Sequence, residues 1–219
     1  MKFSLRRALI ISMYICITFV LEEVMTLIPN VQLTVLLLTI AGAVFGPYYG
    51  TLVVLIHVFL DNLYVGSMLP VVMIPMALGW ELVMLSGYFT RKAPLWVTTV
   101  LGGLCALAYC WIFVAANSMF LDIDMKLYII QDIPFEIILV ASSVISIMFL
   151  YKPLTKLIDK YWNKDNKKEI TTEWFVHFYS LVISFLFIQV QNLIHHQRIS
   201  CLFRRWYILF LFQVLQEWN

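Results

Sequence analysis

Apolar runs close to bilayer length recur along this chain, and most of its charges fall between them. A helix that crosses the hydrocarbon layer takes about 20 apolar residues, within a range of about 17–25. The candidates are Ala8–Ile28, Leu33–Phe45, Tyr49–Tyr64, Leu69–Tyr88, Leu95–Met119 and Ile133–Tyr151. The second and third are short, and Gly46-Pro47 separates them. Proline inside a helix removes a hydrogen bond and clashes with the preceding turn. Two short helices joined by a tight turn are therefore expected there.

Composition agrees with this reading. Of 219 residues, 62% are hydrophobic and 13% charged, with a mean hydropathy of +0.88. A soluble domain is about 25% charged, and a single core of this size cannot hide so much apolar surface. The balance of charge, +2, gives no reason to expect a nucleic-acid partner. The cysteines form no CxxC pair, so neither a disulfide framework nor a zinc site is indicated. The first run lacks a small-x-small cleavage site and reads as a retained helix rather than a secretory signal.

Orientation follows from lysine and arginine, which stay on the cytoplasmic side. With the N-terminus inside, the inner segments of residues 1–173 hold eleven basic residues, and the outer segments hold Lys126 alone. The expected fold is an all-α integral membrane protein with six transmembrane helices and both termini cytoplasmic, multi-pass in the cell membrane. Residues 1–151 form the membrane domain, 152–173 a basic cytoplasmic segment, and 174–219 an apolar, aromatic-rich tail. The tail has no Gly, Pro or Ala and reads as an appended or frame-altered interfacial segment without an assigned role.

Several catalytic signatures are absent. There is no Gly-Lys dipeptide for a phosphate loop, no His-Glu-x-x-His metal pair and no Gly-x-Ser-x-Gly elbow. No catalysis, no cofactor and no metal are expected. Polar groups near the outer side are the candidates for binding, because such groups at membrane depth usually face a cavity or a partner. They are Asn30, Gln32, Asn117 and Glu136, with Glu22, Glu23, Asp61 and Asp132 around the entrance. Glu81 lies about 18 Å down its helix from Leu69, so it must pair, stay protonated or line a polar cavity. Trp80 stands beside it in an adaptable apolar setting with Met73, Met76 and Met84. Ala8, Ser12 and Cys16 recur every fourth residue and make a small-residue face on the first helix. With Asp122 and Asp124 the outer entrance has six acids against one base, Lys126, which points to a neutral or cationic, partly aromatic ligand.

The residues Ile28-Pro29-Asn30-Val31-Gln32, Gly46-Pro47-Tyr48-Tyr49-Gly50, and Pro75 through Gly79-Trp80 to Gly87 resemble those of the substrate-specific S components of energy-coupling factor (ECF) vitamin transporters. The resemblance covers roughly residues 5–155. It implies a subunit that captures a vitamin or cofactor precursor from outside. The loop between helices 1 and 2 and the outer parts of helices 4 to 6 would form its pocket. Ala8, Ser12 and Cys16 would meet a transmembrane T protein that couples to two ABC ATPases; serine and cysteine stand here where alanines are usual. The Glu22-Glu23 pair also resembles that of intramembrane CAAX-type proteases. Their following arginine is replaced by Leu27, and His57 is followed four residues on by Asp61 rather than asparagine, so that reading is set aside. The competing class is a stand-alone secondary transporter with Glu81 carrying the proton, although no internal repeat of the kind such transporters use is found. A ligand-free membrane scaffold is the third possibility.

Overall fold

The structure, a computed structural model, describes residues 5–25, 32–66, 68–121 and 125–163. The chain divides into two units, 1–165 and 166–219, and the second lies outside the described residues. So do Asn30, Asp122, Asp124 and the tail from residue 174.

The described residues are all-helical: α1 Leu5–Met25, α2 Thr34–Val65, α3 Pro70–Thr90, α4 Leu95–Leu121 and α5 Met125–Trp162. All five contain stretches long and apolar enough to cross a membrane. Helices suit that solvent because each satisfies its own backbone hydrogen bonds. Their hydroxyls are absorbed locally too. Thr18, Thr39, Thr90 and Thr99 each donate to the carbonyl four residues back, so a polar side chain needs no external partner. Chain ends are set by punctuation. Gly66 adopts a left-handed conformation after α2 and its N–H returns to the Asn62 carbonyl, while Leu69 is extended before Pro70 opens α3.

The expected segments Leu33–Phe45 and Tyr49–Tyr64 both fall inside α2, which is broken at Gly46 (φ 78°, ψ 179°). This backbone region is essentially restricted to glycine. Contacts on either side reveal a reversal. Arg7 lies over Trp162, and Trp162 packs on both Phe45 and Tyr49. Going back from Phe45, the Leu37 carbonyl accepts from the Tyr14 hydroxyl, one to two turns beyond Arg7 along α1. Going forward from Tyr49, His57 meets Glu22 still further along α1. Both directions from Gly46 lead along α1 the same way, so the chain folds back there. Replacing Gly46 with alanine should cost about 1–3 kcal/mol for the forced conformation. A thermal melt in detergent checks this, and an unchanged midpoint would deny that Gly46 sets the turn.

The first segment of α2 is the centre of the bundle: every residue from Thr34 to Ala41, and Gly42 after them, is buried. α2 packs against all four other helices, whereas α3 and α4, and α4 and α5, pair in sequence. Close approach of α2 and α3 depends on two glycines. A Cβ at Gly87 would fall on the backbone of Thr39, and one at Gly42 on the backbone of Met84. At the basic end Arg6 donates to the Tyr161 carbonyl, which ties α1 to the end of α5. α5 is longer than the expected Ile133–Tyr151 because neither Pro134 nor Pro153 stops it.

Candidate functional site

The buried face of α1 is Ile11, Tyr14, Ile15, Thr18, Phe19 and Glu22. Ile11, Ile15, Thr18 and Glu22 follow the helical stripe spacing, so the last of them carries a carboxylate toward the protein. In α2 the corresponding stripe is Gly50, Val53, Val54, His57 and Val58. Where the stripes meet, His57 Nε2 lies 2.7 Å from Glu22 Oε2. His57 is 0% exposed and Glu22 8%, so the pair is shielded from solvent. A buried ion of this kind is tolerated only with its partner in place. Glu23 and Asp61 are electrostatic neighbours of the same group.

Trp80, on the buried stripe of α3, borders His57 edge-on at 6.5 Å between ring centroids. Its ring stacks on Tyr109 of α4 at 4.1 Å and an interplanar angle of 19°, and Tyr109 in turn stacks on Phe113 at 6.1 Å. Gly79 makes the first stack possible, because any Cβ there would collide with the Tyr109 side chain. Trp80 is fully buried, yet its indole N–H has no hydrogen-bond partner among the described residues; nor has His57 Nδ1. Buried polar atoms are nearly always bonded, so two orphans in one cluster call for an explanation. Further along α2 the Asn62 amide donates to the Val58 carbonyl and to Met76 Sδ.

The sequence candidates fare differently. Trp80 belongs to this cluster. Glu81, its neighbour in sequence, is half-buried and accepts a 2.6 Å hydrogen bond from the Thr51 hydroxyl across the α2–α3 seam. Asn117 and Glu136 are both buried, on α4 and α5. Asn117 donates to the Tyr128 hydroxyl at 3.4 Å, and Glu136 accepts from the Trp111 indole at 3.4 Å. Gln32 is half-buried, just before α2, with its carbonyl oxygen unpartnered among the described residues. Asn30 lies outside the described residues. On α1, Ser12 is exposed, with Ala8 and Cys16 half-buried.

Sequence reasoning missed the Glu22–His57 pair and Tyr109. The sequence placed Glu22 around the outer entrance without a partner, and the structure buries it against His57 because it continues an apolar stripe. His57 likewise sits four residues after Val53 on such a stripe, and that periodicity is the signal that would have found it. Chemically, the arrangement pairs charge, offers two stacked rings and presents unbonded donors; among the described residues no three His, Cys, Asp or Glu are grouped to hold a metal. No family model, no curated protein and no solved structure matches the chain.

Proposed function

We propose that this chain is the substrate-binding membrane subunit of an ECF-type ABC importer. It takes a vitamin or cofactor precursor from outside and delivers it with a T protein and two ATPases. The observation that carries this reading is the polar and aromatic cluster of Glu22, His57, Trp80 and Tyr109, buried between four helices at the end of α1 away from Arg6 and Arg7. Such a mixture of apolar walls with a few placed polar groups is how small-molecule sites are built. The reversal at Gly46 fits the same reading, since it divides α2 and gives six segments in five helices. On this proposal the chain is multi-pass in the cell membrane with both termini cytoplasmic. The exposed Ser12, between Ala8 and Cys16, is the face offered to the T protein.

The test is uptake in proteoliposomes, combined with mass spectrometry of small molecules that co-purify with the chain in detergent. Uptake should require the T protein and the ATPases, and a small molecule should co-purify. Ser12→Leu should weaken T-protein association at least tenfold while leaving ligand binding within twofold. Uptake by the chain alone under a proton gradient would overturn the proposal and transfer it to a Glu81-coupled secondary transporter. A chain that retains no small molecule would favour a scaffold.

A further inference from the structure

We propose that the Glu22–His57 cluster binds a small planar organic cation, with Glu22 and Asp61 receiving its positive nitrogen and the Trp80 indole N–H donating to an acceptor on the same molecule. This rests on the binding-subunit reading above and narrows its ligand.

Charge is the first argument. His57 touches Glu22 at 2.7 Å, and Asp61 interacts electrostatically with both. One imidazole, even when protonated, neutralises one carboxylate, while Glu22 and Asp61 already make two. Surplus negative charge away from water is costly unless a cation or a proton offsets it. Among the described residues, Arg6 and Arg7 begin α1, about 22 Å from Glu22 along its axis. Arg91 stacks on Tyr88 after the end of α3.

The second argument is independent of charge. Trp80 is 0% exposed and its ring borders His57, yet its N–H has no acceptor among the described residues. A bound molecule with an acceptor atom beside its cationic nitrogen satisfies that donor. An inorganic divalent ion does not, because a metal ion accepts no hydrogen bond. The described residues also hold no metal-binding group of three ligands. The aromatic wall of Trp80 and Tyr109 favours a flat cation over a hydrated point charge, since ring faces attract positive charge and apolar edges exclude water.

The experiment compares benzamidinium with its neutral isostere benzamide, by ligand-observed NMR titration of the full chain in detergent. Benzamidinium should bind at least tenfold more tightly than benzamide. Glu22→Gln should reduce that preference at least fivefold, and Asp61→Asn at least twofold. Trp80→Phe, which keeps the ring and removes the donor, should weaken benzamide, whose carbonyl can accept from the indole, and leave benzamidinium, which carries no acceptor, within twofold. Equal binding of the two probes, or no binding of either by the unmodified chain, would overturn the proposal whatever the variants do. Survival of the preference in both carboxylate variants would overturn it as well. No T protein or ATPase enters this titration, so its failure leaves the uptake test standing, and failure of ATP-dependent uptake leaves the cation preference standing.

Discussion

Gly87→Leu should unfold the protein or leave it barely folded in detergent. The Cβ alone would land on the Thr39 backbone, which cannot rotate aside as a side chain can. α2 and α3 must then separate along the seam that also carries the Thr51–Glu81 hydrogen bond. Overpacking costs about 1–3 kcal/mol and occasionally more, and a backbone collision belongs at the upper end, about 3 kcal/mol. Gly87→Ala should lose less, because a lone methyl needs a smaller shift. Thermal unfolding in detergent reads both. A midpoint for Gly87→Leu equal to that of the unmodified chain would mean that this crossing does not hold the bundle.

The second large effect concerns the buried pair. His57→Leu alone should destabilise by about 3–5 kcal/mol, because Glu22 is left buried and uncompensated. Glu22→Leu combined with His57→Leu should recover most of that loss, since replacing both members of a buried pair by apolar groups is often neutral. The comparison is a double-mutant cycle followed by equilibrium unfolding. Ligand binding, in contrast, should stay lost in the double variant, which has no carboxylate at position 22 to receive a cation. If both single variants are as stable as the unmodified chain, the pair contributes nothing and the shielding argument fails. Recovered stability without recovered binding would separate folding from function at this site.

Much of the fold was legible because a bilayer makes length and hydropathy sufficient signals. Five helices lie where apolar runs predicted them, and Gly46-Pro47 marked the break between the two expected short segments. The ends of α5 were not legible, because the helix runs past both ends of the apolar stretch Ile133–Tyr151, with Pro134 and Pro153 inside it. The site was read only in part. Trp80 falls in the Glu22–His57 cluster, and Glu81, read as an acid that must pair, stay protonated or line a polar cavity, accepts from Thr51, a residue 30 positions away. Periodicity reveals which face of a helix is buried but not which stripe meets which. The Glu22–His57 contact depends on how α1 crosses α2, and the Trp80–Tyr109 stack depends on the missing Cβ at Gly79. Those are properties of pairs of helices, which no single segment encodes.

The clasp between Arg6 and Tyr161 joins residues 155 apart, and this has a consequence for biogenesis. At about 5–20 residues per second, α1 waits in the bilayer for about 8–30 s before its fastening partner has been made. Glu22 waits less, since His57 follows it by 35 residues and is synthesised within about 2–7 s. The growing chain therefore neutralises its most expensive carboxylate early and closes its basic end last. A ribosome stalled after α3 would hold a chain whose acidic end is already joined, with Arg6 and Arg7 still open to trypsin.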